Sequence, residues 1–281
     1  MTALPEYEVF ALRYGARSDW TRGKSYLNDA DPGAPDVIEY FLWIIRNADR
    51  TIVVDTGFDA ETAIRLGRKP FPDPATLLGQ FGIDSLKVET LIVTHMHFDH
   101  IGALPSFPAA RLHAQAADME WATGPMMKYA FLRFPYDSTH VDQMVAAASA
   151  GRVQLHDGDS TIAPGITLHR IDGHATGLQA VRVNTRRGNV VLASDSAAFI
   201  EQFLDYRVSP AVVDAVAMLK GYDRLRELAP SLDHIITGHD PLTSLIYPHV
   251  PALASAVLKL HEEPSRSVRE AVDGWKLGRR S

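Results

Sequence analysis

The string Thr94-His95-Met96-His97-Phe98-Asp99-His100 puts three imidazoles and one carboxylate within six residues, directly after the apolar run Leu91-Ile92-Val93. Such groups bind divalent metal when their directions converge. On extended backbone side chains alternate from face to face, so His95 and His97 project to the same side. A turn through Phe98 can then bring Asp99 and His100 back towards the same point. The competing reading is a polar loop with chance histidines, and the place of the string at the end of an apolar strand argues against it.

Three more candidates stand where strands are expected to end. His174 lies in Asp172-Gly173-His174-Ala175-Thr176-Gly177, after the run Ile166 to Ile171. Asp195 closes Val190-Val191-Leu192-Ala193-Ser194, and His239 lies in Thr237-Gly238-His239-Asp240 after Ile235 and Ile236. Loop positions held by rigid strands suit a ligand site. Glycine beside each late histidine lets the backbone turn near a crowded centre. The remaining histidines, His113, His140, His156, His169, His234, His249 and His261, read as surface or packing residues. Asp240 reads as a capping or supporting carboxylate rather than a ligand. No G-x-S-x-G, G-x-x-x-x-G-K or H-E-x-x-H motif offers a different chemistry.

The elements that must position these residues are short. Strands are expected at Tyr7 to Leu12, Ile38 to Ile45, Thr51 to Val54, Leu91 to Thr94, Val153 to Leu155, Ile166 to Ile171, Ala180 to Asn184, Val190 to Ala193 and Ile235 to Thr237. Asn47-Ala48-Asp49 and Arg186-Arg187-Gly188-Asn189 read as turns. Helices are expected after Asp59, after Asp73-Pro74 up to Gly82, and over Ala114 to Trp121, Pro210 to Leu228 and Val250 to His261. The residues from Arg266 on are polar and are expected to fray. A faint internal echo runs through the chain. Ile52-Val53-Val54-Asp55-Thr56-Gly57 parallels Val190 to Asp195, and Leu91 to His95 parallels Ile235 to His239, as in two similar sheet-and-helix halves packed face to face.

A chain of 281 residues, 46% hydrophobic, can bury a sizeable core, and no linker or low-complexity block divides it. We therefore expect a single domain over residues 1–281. The net charge of −6 provides no overall basic field for nucleic acid, and the pairs Arg186-Arg187 and Arg279-Arg280 are short. Cysteine is absent, which excludes disulfides, thiolate catalysis and sulfur-ligated zinc. The start carries no signal-like segment, and no apolar run approaches the roughly 20 residues of a membrane span, so a cytoplasmic protein with no membrane partner is expected.

The ordered set of seven positions resembles the metallo-β-lactamase superfamily, from about Ile52 to His239. That resemblance implies an α+β fold, a four-layer αββα sandwich with two metal ions at the sheet edge. It implies that His95, His97 and His174 hold the first ion, that Asp99, His100 and His239 hold the second, and that Asp195 bridges them. Asp55 takes the place of a carboxylate supporting the site from below. The expected cofactor is two divalent ions, zinc first, with manganese, iron or cobalt compatible with the same ligands. A water acidified on the ions would then be the nucleophile, and Asp99 the proton shuttle and catalytic residue.

Layout is most similar to the N-acyl-homoserine-lactonase and pyridoxolactonase-like branch, which implies hydrolysis of a small-molecule lactone, ester or amide. Thioester hydrolysis as in glyoxalase II, cyclic amide hydrolysis and iron-dependent oxygenation are the alternatives on the same fold. The chain departs from the branch at Ala198, where tyrosine is usual three residues after the bridging aspartate, and at Gly-His-Ala-Thr-Gly, where Gly-His-Thr-Pro-Gly is usual. Two aromatic segments, Trp20 to Tyr26 and Trp121 to Tyr136, read as pocket wall or homodimer contact, against plain helix packing.

Overall fold

The structure is a computed structural model that describes residues 4–66, 72–253 and 256–278. Arg279 and Arg280 lie outside the described residues. In chain order the strands are β1 (Glu8–Thr21), β2 (Pro35–Arg46), β3 (Thr51–Val54), β4 (Thr90–Ile92), β5 (Arg111–Gln115) and β6 (Val153–His156). They continue with β7 (Ser160–Ala163), β8 (Ile166–Arg170), β9 (Gln179–Thr185), β10 (Gly188–Ser194), β11 (Ile235–Thr237) and β12 (Val257–Lys259). One sheet runs β12-β1-β2-β3-β4-β5-β6 and the other β11-β10-β9-β8-β7.

Alternation along the first sheet shows why it is a layer between two others. Val9, Ala11, Phe41, Trp43, Ile45, Ile52, Val54 and Ile92 join the apolar core shared with the second sheet. Their neighbours Phe10, Leu12, Tyr40, Leu42, Ile44, Val53 and Leu91 face a separate core with Phe58, Leu78, Ile101, Met144 and Ala147. A strand buried on both faces must read as a continuous apolar run, and Tyr40 to Ile45 does. Helices over Ala215–Leu228 and Val268–Gly278 contribute Met218, Tyr222, Leu225, Ala271 and Val272 to the core around the second sheet. The result is a four-layer α+β sandwich, with helices outside two face-to-face sheets, as the resemblance implies.

The internal echo has a structural counterpart. β3 and β4 pair in parallel, with Val53 opposite Leu91 and Val54 opposite Ile92. In the second sheet β10 and β11 pair in parallel, with Val191 opposite Ile235 and Leu192 opposite Ile236. Each pair thus delivers an acidic turn (Asp55, Asp195) beside a histidine turn (His95, His239) at one end of its sheet.

Several expected boundaries move. Ala114 and Gln115 finish strand β5, and the helix is Ala116–Thr123. The helix expected from Pro210 starts only at Ala215, where the Asp214 side chain accepts from the Val216 and Ala217 N–H groups. Among the described residues of Val250 to His261 the expected helix does not form: Pro251–Leu253 make one 3-10 turn and Val257–Lys259 form the edge strand β12, paired with Phe10 to Leu12. A short apolar run of this kind has no decisive period, and the open edge of β1 captures it. The described residues from Arg266 onward are not frayed either. They include helix Val268–Gly278, with Val268, Ala271 and Val272 buried.

Candidate metal centre

Every candidate residue stands just beyond a strand end or in the turn that follows. His95 and His97 leave β4, and Phe98–Ile101 turns as a single helical turn that carries Asp99 and His100. His174 follows β8, Asp195 follows β10 and His239 follows β11. All seven side chains are buried or nearly so, with Asp99 the most open at 9%. They meet in three overlapping groups, His95–His97–His174, His95–His100–Asp195 and Asp99–His100–His239, each with its ligand atoms within 4.8 Å of one another.

Supporting hydrogen bonds choose which nitrogen of each ring faces inward. His174 Nδ1 is 2.8 Å from Ala211 O, and His239 Nδ1 is 2.7 Å from Glu39 O, so both point Nε2 at the centre. His100 Nδ1 is 2.7 Å from Asp55 Oδ2, which directs its Nε2 the same way. His95 Nε2 and His174 Nε2 lie 2.9 and 3.0 Å from His97 Nδ1. Asp195 has two faces: Oδ2 is 3.3 Å from His174 Nε2, while Oδ1 is 3.1 Å from His239 Nε2 and 3.6 Å from His100 Nε2. Asp99 Oδ2 and Oδ1 stand 3.6 Å from His239 Nε2 and 3.8 Å from His100 Nε2.

This arrangement fits divalent cations. His100 Nε2 and Asp195 Oδ1 are buried without a well-formed hydrogen bond, a costly condition unless a cation sits between such atoms. Burial, reinforced by the neighbouring imidazoles, holds His95 and His97 well below the ordinary histidine range, so both present lone pairs. Burial lowers His174 as well. His100 behaves oppositely. Burial opposes its charge, but Asp55, Asp99 and Asp195 outweigh that and push it up to about 10. The half of the site rich in carboxylate therefore demands positive charge, and the half built from imidazoles is ready to donate to it.

Asp55 holds the base of the site. Its Oδ1 accepts the Thr94 N–H at 2.7 Å, and its Oδ2 accepts the Thr94 hydroxyl at 2.7 Å besides facing His100. The Thr94 hydroxyl also lies 2.9 Å from Ser194 Oγ, joining the strand ends of the two sheets. Asp55 and Ser194 both take positive φ, +61 and +49, strain that the surrounding bonds must hold. At Gly238 a Cβ would come within 2.3 Å of Asp195 Oδ1, and at Gly173 within 2.5 Å of the Met218 main chain. The glycines beside the late histidines are therefore there for close approach.

Asp240 caps helix Pro241–Ile246 through Leu242 N and also accepts Ile200 N at 2.8 Å, so it supports the site without entering it. Several of the other histidines find partners elsewhere, such as His113 with His156 and His140 with Thr62.

A cleft of about 530 Å³ opens onto the centre, bordered by His97, Asp99, His174, Asp195 and His239. Its walls include Trp20, Phe98, Phe131, Phe134, Pro135 and Phe199. Phe131 and Phe134 are 62% and 65% exposed, so they are wall rather than core. Tyr136 turns inward instead, its ring 4.6 Å from that of His97. Arg17, Ile38 and Tyr40 also line the cleft and carry no local signal in the sequence. They reach it only through the pairing of β1 with β2.

Comparison with known proteins agrees with this geometry. The family model described as the metallo-beta-lactamase superfamily matches residues 40–249. A probable metallo-hydrolase of Mycobacterium tuberculosis is 27% identical over 230 residues, 75% of this chain and 74% of that protein. An N-acyl homoserine lactonase of Azorhizobium caulinodans is 27% identical over 164 residues, 57% of this chain and 61% of its own length. Among solved structures, a quorum-quenching N-acyl homoserine lactone lactonase superposes with a TM-score of 0.69 at 22% identity, covering 86% of this chain and 95% of that one. With its two-sheet sandwich and its cluster at the strand ends, the chain belongs to the metallo-β-lactamase superfamily.

Proposed function

We propose that the chain is a metal-dependent hydrolase that holds two divalent ions and opens a lactone or a related small cyclic carbonyl compound. In this reading His95, His97 and His174 hold one ion, Asp99, His100 and His239 hold the other, and Asp195 joins both. The observation that carries it is the two-faced Asp195 carboxylate, with one oxygen towards each histidine group. Ions bound there supply Lewis acidity and bring the pKa of water to about 7.

The chain's own residues do the rest. His174 and His239 keep their rings fixed through main-chain oxygens. Phe98, Phe131, Phe134 and Phe199 seat an apolar body and exclude bulk water from the carbonyl. Asp99 borders the cleft, and its main chain is anchored where the Tyr14 hydroxyl donates to Asp99 O at 3.1 Å. In this reading Asp99 takes a proton from the attacking water and passes it to the ring oxygen as the ring opens. Relatives named as lactonases support the choice of a cyclic ester. Ala198 puts only a methyl group on the cleft wall near Asp195, leaving room for ring substituents.

The test is a hydrolysis screen of the metal-loaded chain against lactones, thioesters, cyclic amides and β-lactams, with metal analysis alongside. We expect two ions per chain and lactone turnover that falls more than about a hundredfold in His97→Ala, beyond the loss typical for a merely supporting residue. Turnover unchanged in His97→Ala would overturn the site. A single redox-active iron with oxygen uptake would replace hydrolysis by oxygenation.

A further inference from the structure

The cleft has one feature that neither ions nor a scissile carbonyl require. Among the described residues bordering it, the two carboxylates, Asp99 and Asp195, face the histidine nitrogens, whereas the two cations, Arg17 and Lys24, flank one indole. The Arg17 guanidinium carbon lies 5.3 Å from the centroid of the Trp20 ring, and Lys24 Nζ lies 5.2 Å from it. Trp20 is preset by its own contacts: Nε1 donates to Ser25 Oγ at 3.1 Å, and Ser25 Oγ donates to the buried Asp36 at 2.9 Å. Gln202 Nε2 secures the Ser25 carbonyl at 3.1 Å.

The two cations differ in what they have left to offer. Arg17 spends Nε and Nη2 on Asp19, at 2.9 and 2.7 Å. Besides the Trp20 ring, Lys24 reaches the main-chain oxygen of Asp19, at 3.4 Å; it lies within the field of the Asp19 carboxylate but forms no direct ion pair among the described residues. It is an exposed ammonium beside a fixed indole, on the wall of a cleft that also carries Phe98, Phe131, Phe134 and Phe199. A bound oxyanion there gains a charge-assisted partner, and the surrounding field draws it in.

We propose that the substrate is itself an anion: a small cyclic ester or amide carrying a carboxylate or comparable oxyanion, with its apolar part against Trp20 and its charge on Lys24. The scissile bond in this statement rests on the hydrolase reading above; the anion subsite does not. Arg17 acts as a positioning residue, holding the indole and Asp19 in place.

Calorimetric binding to the full chain, metal-free and metal-loaded, uses a matched pair of stable probes, 5-oxopyrrolidine-2-carboxylate and its neutral carboxamide. The metal-free arm removes direct capture of the carboxylate by ions. We expect the carboxylate to bind about tenfold tighter than the carboxamide, and Lys24→Met to erase most of that ratio. Lys87→Met, which removes an exposed lysine outside the cleft, should keep the ratio. Raising salt from about 20 to about 300 mM should weaken the carboxylate alone. Benzoate and phenyl phosphate, compared in the same way, show which oxyanion Lys24 favours.

A carboxylate that binds no tighter than the carboxamide overturns the proposal, as does a ratio that survives Lys24→Met. Lactone hydrolysis provides the separation from the earlier reading. Lys24-dependent anion binding without any hydrolysis leaves this inference standing and removes the hydrolase. Hydrolysis of neutral and carboxylated lactones at ratios indifferent to Lys24→Met does the reverse.

Discussion

Gly238 shows how tightly the centre constrains single residues. A Cβ there would meet Asp195 Oδ1 at 2.3 Å and the Ser194 main chain at 2.9 and 3.0 Å, and none of these can withdraw without turning the carboxylate. Gly238→Ala is therefore expected to lower metal retention after dialysis and to reduce kcat/KM by about 10- to 100-fold, the scale for disturbing a group that orients a ligand. Gly79→Ala, where a Cβ meets nothing within 4 Å, should change neither. Equal behaviour of the two variants would contradict the crowding argument. At this scale the sequence was most legible. The spacing from His95 to His100, and the glycines before His174 and His239, mark positions that the fold brings to one point. Arg17 and Tyr40 were illegible because their approach to the cleft depends on the register of β1 against β2, with Arg17 opposite Ile38, and not on neighbours in the chain.

At the scale of elements, strands with buried faces declared themselves by apolar runs, whereas the C-terminal elements did not. β12 is a strand because β1 offers it an edge, a non-local cause that a three-residue run cannot reveal. The final helix did carry a signal. In Ser267-Val268-Arg269-Glu270 the Ser267 N–H donates to Glu270 Oε2 at 2.9 Å, and the Glu270 N–H donates to Ser267 Oγ at 3.2 Å, a capping box readable in advance. Val268 and Val272 are 2% and 1% exposed in the core around the second sheet. Ending the chain after Arg266 should cost roughly 3–6 kcal/mol, from about 1.5–3 kcal/mol for each of the two buried valines. A denaturant titration reads this loss. An unchanged midpoint would mean that the helix does not stabilise the sandwich.

For the whole molecule, the centre is a stability problem as much as a chemical one. Seven polar side chains are gathered where the two sheets meet, and His100 Nε2 and Asp195 Oδ1 lack well-formed partners within the protein. Bound ions should therefore stabilise the fold by mass action, about 4 kcal/mol per ion when free metal exceeds Kd a thousandfold. Chelation is expected to lower Tm by on the order of 10 °C for a chain of this size, and re-addition of metal to restore it. Coincident melting curves with and without chelator would argue against occupied sites.

In the proposed two-ion reading, the Asp195 carboxylate also has a consequence for how ions would be acquired. One oxygen faces His174 and the other faces His239 and His100, and the strained turn at Ser194 fixes the carboxylate between them. Two ions that share this group are thermodynamically linked: filling either position alters the affinity of the other, by the same factor in both directions. The affinity of one position, measured with the other empty and then filled, would read that factor, and a mixed-metal form at equilibrium would depend on relative affinities and not on the order of addition.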